Sequence, residues 1–260
     1  MPDILMPASF PEIDFRAYGI AASNSFLPMM SDENLFDPQE KRRHFDWSWQ
    51  AVRYRYRSCA ECNEEFKTLL ANASDMWNAG WGDEELAYKL ERCIYQFFTG
   101  ALSIFDSFAF GLYFYGNALQ PTSFPLISTP KKIDRKRVGA AFQATFPRAS
   151  ITGIVLSLQS DPTLTTNDAR FVVTDTVRNL VGHRISGRRS VRGAGTTQED
   201  GTHTTDWHEE NWHLPGSSIP LNFDEDLLQK QLDNITNLLA ELSAAARDFA
   251  EQHQPVQVQP

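Results

Sequence analysis

From Phe45 onward, apolar residues recur in alternating steps of four and three: Phe45, Trp49, Val52, Tyr56, Cys59, Phe66 and Leu70, with Asn63 in the one polar place of the series. This spacing keeps the side chains on one stripe of a helix. Asp37-Pro38 supplies a start signal, and Arg53, Arg55, Arg57, Glu61, Glu64 and Glu65 fall on the outer side. Gly80-Trp81-Gly82-Asp83 closes that element and caps the next. The second helix begins amphipathic, with Leu86, Leu90, Ile94 and Phe97, and then becomes apolar on nearly every side as far as Tyr115. Pro121, Pro125 and Pro130 make 116–133 a loop, and short helices follow near 134–145 and 150–159. The cap-rich run Leu164-Thr165-Thr166-Asn167-Asp168 opens a helix to about Arg184. Asn222 and Glu225 form a capping box for a final helix, which buries Leu228, Leu232, Ile235, Leu239, Leu242, Ala246 and Phe249.

The pattern predicts an all-α fold: an up-and-down bundle of four long helices, 38–73, 83–117, 164–184 and 223–252, with short extra helices. Residues 1–37 read as an extended N-terminal arm, 38–253 as a single helical domain, and 254–260 as a disordered tail. Residues 185–221, rich in Gly, Ser and Thr, read as a long loop, and any strand is expected only there. Phe97–Tyr115 approaches the ~20 apolar residues of a membrane helix. It is interrupted by Thr99, Ser103, Asp106 and Ser107 and lacks basic anchors, so a buried central helix is expected, with no membrane.

The chain of 260 residues can bury a sizeable core. Three cysteines make no disulfide framework, and with no leader of signal-peptide type the expected location is cytoplasmic. The net charge of −9 argues against a polyanion ligand until its distribution is read. Residues 199–260 hold 12 acids and 2 bases, so the rest is nearly balanced. Two basic stretches lie in that remainder, 131–137 and 184–192.

The predicted helix 168–184 carries the candidate chemistry. Ala169, Val172, Val173, Thr176, Val177, Leu180 and Val181 gather on one face, with Asp175, Arg178, Asn179 and Gly182 opposite and His183 at the border. Asn179 and His183 are one turn apart. Arg178-Asn179-Leu180-Val181-Gly182-His183 is an R-N-x-x-x-H sequence. With the aromatic-rich helix, proline-rich loop and short helices before it, this segment resembles the HEPN domains over roughly residues 40–250. The resemblance implies a helical bundle that dimerises, and a metal-independent endoribonuclease. Arg178, Asn179 and His183 would be catalytic, in a groove between two protomers.

The residue types suit that reaction. The RNA 2′-hydroxyl attacks the adjacent phosphorus, which needs a base, an acid for the leaving oxygen, and positive charge on the developing phosphorane. Histidine can fill either proton role near neutrality. Arginine offers fixed donors to phosphate oxygens. Arg184, Arg188, Arg189 and Arg192 follow as candidate RNA contacts. No cofactor and no metal are expected. The partners implied are RNA, a second copy of the chain, and an antitoxin or regulatory protein in a defence setting. The alternative is an inactive helical module that binds RNA, a nucleotide or a protein. In the plainest reading Arg178 pairs with Asp175, and His183 caps its helix.

Other candidates are weaker. Arg247 and His253 repeat the loose Arg–His spacing beside the tail and serve as a decoy. Cys59-Ala-Glu-Cys62 lies in a helix seam and reads as core. His203, His208 and His213 recur every five residues with Trp207 and Trp212 between, a period of neither helix nor strand. Asp106 reads either as a satisfied buried carboxylate or as a neighbour of the site. No phosphate loop, nucleophile elbow or H-E-x-x-H pattern is present.

Overall fold

The computed structural model describes residues 38–72, 83–125, 132–159, 167–182, 188–197, 203–213 and 226–253. The expected arm 1–37, the capping box at Asn222 and Glu225, and the tail 254–260 lie outside these residues. Over these described residues the chain is an all-α fold with one β-hairpin. Its elements are α1 (Pro38–Ala71), α2 (Asp83–Leu119), α3 (Arg135–Thr145), α4 (Ser150–Ser157), α5 (Ala169–Gly182), β1 (Arg188–Thr197), β2 (His203–His213) and α6 (Leu227–Gln252). The long helices fall where the apolar periods put them. The long segment 185–221, where alone strand was expected, holds two antiparallel strands, paired from Arg188↔His213 to Thr197↔His203.

The chain divides into two compact units, and α1, α2, α5 and α6 each contribute to both. The first comprises residues 1–55, 103–172 and 235–260. Its core is aromatic. Phe124 packs edge-on against Tyr113 and Phe142, with centroids 5.5 and 5.1 Å away, and Phe249 meets Tyr115, Phe142 and Phe146. Gly116 makes room for this packing, because a Cβ there would sit 2.6 Å from the Phe124 ring. Asp106 is neither buried nor free. It is exposed and ion-paired to Arg135 at 2.7 Å, and the Arg135 guanidinium lies 4.7 Å above the Phe171 ring. Arg55, expected on the outer side of α1, instead reaches Ser107 and the Ser103 carbonyl.

The second unit comprises residues 56–102 and 173–234. Tyr56, Cys59, Cys62 and Phe66 of α1 and Leu86, Leu90, Cys93, Ile94 and Phe97 of α2 are buried. Asn63, the polar member of the seam, is fully buried and donates to Gln229 Oε1 at 2.8 Å; Lys67 donates to the same oxygen at 2.7 Å. The cysteines are core residues: Cys59 Sγ points at the Phe97 carbonyl, 3.4 Å away, and burial pushes the Cys59, Cys62 and Cys93 thiols up. Helix α2 is long and apolar enough to cross a membrane, and 72% of its most apolar window is buried inside the protein.

Candidate functional site

Helix α5 starts at a well-made cap. The Asp168 side chain accepts the Arg170 backbone N–H at 2.8 Å. The Arg170 guanidinium returns to Asp168 at 2.6 Å and reaches Glu241 of α6 at 2.7 Å. The Arg170 side chain holds the Asp168 carboxyl below the usual carboxylate range. The hydrogen bonds to Glu241 and Asp168 push the Arg170 guanidinium up.

The rotation of α5 differs from the sequence expectation by roughly a third of a turn. Of the Ala169, Val172, Val173, Thr176, Val177, Leu180 and Val181 face, Val177 alone is buried. The buried residues are Phe171, Thr174, Asp175 and Val177. Phe171 sets this rotation: its ring meets Phe105 edge-on at 5.5 Å and lies under Arg135. A single large aromatic offers more area than any one valine of the competing face. Thr174 and Asp175 are carried inward with it, and Val172, Val173, Thr176 and Leu180 stay partly exposed.

The pairing of Arg178 with Asp175 allowed by the sequence does not form. Arg178 Nη1 instead donates to Asn179 Oδ1 at 2.9 Å, and Asn179 Nδ2 donates to Asp175 Oδ2 at 3.1 Å. Asp175 is 7% exposed. Three side chains on adjoining turns thus form a relay from guanidinium to amide to buried carboxylate. Arg178 makes no ion pair among the described residues, and the guanidinium's other donors are unengaged there. Asp175 is the site residue that the sequence reading missed as such. The sequence offered it only as a direct ion-pair partner of Arg178, and its burial follows from Phe171.

Helix α5 ends at Gly182. His183 and Arg184 lie outside the described residues, as do the side chains of Arg188, Arg189 and Arg192. The backbone register nonetheless changes how those arginines read. Strand β1 carries three arginines and no acid, but it pairs with β2, which carries Asp206, Glu209 and Glu210. The run that is basic in sequence therefore lies beside an acidic strand, which weakens its pull on a polyanion. By contrast Lys132, Lys136, Arg137 and Arg148 are exposed and make no ion pair among the described residues.

The register also gives the five-residue period of the histidines a geometry. Ser190 pairs with Asn211 and Val191 with Glu209, so Glu210 is an extra residue at a bulge. By register His208 pairs with Arg192, His213 with Arg188 and His203 with Thr197, and the side chains of these histidines lie outside the described residues. No group of three or more His, Cys, Asp or Glu is placed to hold a metal among the described residues.

The chain matches no protein-family model, no curated protein and no solved structure.

Proposed function

We propose that the chain is a HEPN-type endoribonuclease, cytoplasmic and working as a homodimer, that cleaves RNA without a metal. The observation that carries this reading is the Arg178 relay. It holds a partly buried guanidinium that has open donors and meets no carboxylate among the described residues, on a firmly capped helix. A fixed, unneutralised arginine is what a developing phosphorane requires. In the proposed reaction the RNA 2′-oxygen bonds to phosphorus and its proton passes to a His183 imidazole. The bond to the 5′-oxygen breaks, and that oxygen takes a proton from the other copy's His183. The products are a 2′,3′-cyclic phosphate and a 5′-hydroxyl. Phosphate contacts outside the reacting group fall to Arg184, Arg188, Arg189 and Arg192.

The partly exposed Val172, Val173, Thr176 and Leu180 support the dimer, because a second copy packed there would cover an apolar stripe. The test is cleavage of defined RNAs by the purified chain with chelator present. Wild type should cut RNA and leave DNA intact, and His183→Ala should abolish cutting. A His183→Ala protein as fast as wild type would overturn the reading. A wild type that binds RNA but cuts none would leave the inactive binding module.

A further inference from the structure

We infer that Asp175 is a positioning residue of the Arg178 site, acting through Asn179; the inference rests on the proposed nuclease reading for its catalytic consequence but not for its geometry. A buried carboxylate is costly unless it is hydrogen-bonded, and Asn179 Nδ2 supplies one such bond. That bond has a second effect. An asparagine amide can sit in either of two flipped orientations of nearly equal shape, and only one turns an oxygen toward Arg178. With Nδ2 committed to Asp175, Oδ1 must face the guanidinium, where it accepts Nη1. The carboxylate thus selects the amide orientation, and the amide selects the place of Arg178. The relay uses a neutral oxygen at the arginine, so the guanidinium is held without being neutralised by direct pairing. A carboxylate at position 179 would hold Arg178 as well but would compete with the phosphate for its charge.

Two variants of Asp175 separate positioning from bulk and charge. Asp175→Asn keeps an acceptor for Asn179 and removes the charge, whereas Asp175→Ala removes the acceptor. The readout that needs no RNA is NMR of the full chain, following the Asn179 side-chain amide and the Arg178 guanidinium. Asp175→Ala should speed solvent exchange of the Asn179 amide protons and free rotation of the Arg178 guanidinium, and Asp175→Asn should preserve both. On RNA, Asp175→Ala should lower kcat by on the order of tenfold with KM within roughly twofold, because a displaced group costs the transition state more than the bound state. Asp175→Asn should restore most of kcat. If Asp175→Ala does not fold, Asn179→Ala removes the middle of the relay and should release Arg178 in the same way. Signals of Asn179 and Arg178 unchanged in Asp175→Ala, or of Arg178 unchanged in Asn179→Ala, would overturn the inference whether or not RNA is cut. Signals that respond in a chain whose wild type cuts no RNA would sustain the relay and sink the nuclease.

Discussion

Two helices of this chain end with an arginine followed within six residues by a histidine, and their surroundings differ completely. On α6, Arg247 lies among carboxylates, 3.5 Å from Asp248 and 3.9 Å from Glu251. His253 Nδ1 donates to the Phe249 carbonyl at 2.8 Å, and its ring packs against Phe249 and Phe146 with centroids 4.2 and 5.2 Å away. That end is a structural closure: a last-turn cap on an aromatic core. On α5, Arg178 meets no carboxylate directly among the described residues and is held by an amide that is itself held by a buried acid. Spacing along the chain does not separate the two. What separates them is whether the arginine's charge is already spent.

The largest effect should come from breaking the closure. Phe249→Ala removes a ring that touches Tyr115, Phe142, Phe146 and His253, and should cost about 3–5 kcal/mol in urea unfolding. No comparable loss should follow at the α5 site. Arg178→Ala should change unfolding free energy by about 1 kcal/mol or less, because a partly exposed side chain with one neutral hydrogen bond contributes little. Its cleavage rate should fall by on the order of a hundredfold or more through lost charge stabilisation. An Arg178→Ala protein that unfolds readily yet cuts RNA normally would reverse the assignment of the two ends.

The α5 cap comes next in size. Asp168→Ala should cost about 1–2 kcal/mol, since it removes both the cap and the anchor of Arg170. The pH dependence has a definite sign. The folded carboxyl sits below its unfolded value of about 3.9, so its stabilisation is complete above that value. It is lost as pH falls through the lower folded value. Wild type should therefore lose stability in strong acid faster than Asp168→Ala, measured by thermal unfolding between neutral pH and the acid limit.

How much of this was legible in the sequence follows from which force decides each feature. The seam of α6 was readable residue by residue, and that of α1 everywhere but at the half-buried Trp49 and Leu70, because many apolar side chains vote for one face. On α5 the majority misled: five β-branched residues and a leucine marked one face, and Phe171 turned the helix toward another. The burial of Asp175 was hidden by the same error. Residues 185–221 were expected to hold whatever strand the chain has, but neither their pairing nor the bulge at Glu210 could be read from composition, since register is a long-range property. The arginines of β1 looked unopposed because their acidic neighbours lie across the ribbon rather than along the chain. Asp106 was open to two readings, and the buried one fails, because the side chain is exposed and its partner Arg135 belongs to another helix. Arg178 and Asn179 were named in advance, and their mutual bond is what the structure adds.

The smallest effects sharpen the comparison most. His253→Ala should cost about 1 kcal/mol, from one carbonyl bond and two ring contacts, and leave RNA cleavage unchanged. The spacing marked this histidine only as a decoy, and its packing against Phe249 gives it a role in stability. Arg247→Ala should shift stability by about 0.5 kcal/mol or less. Its side chain is 39% exposed and its acids are more exposed still, so solvent and salt screen the pairs. The decisive quantity is a ratio of ratios. Each arginine is replaced by alanine, and cleavage loss is divided by stability loss. With both losses in kcal/mol, that ratio should be large at Arg178 and near zero at Arg247. Equal ratios would mean that the relay at Asn179 and Asp175 is no more than another helix-surface hydrogen bond.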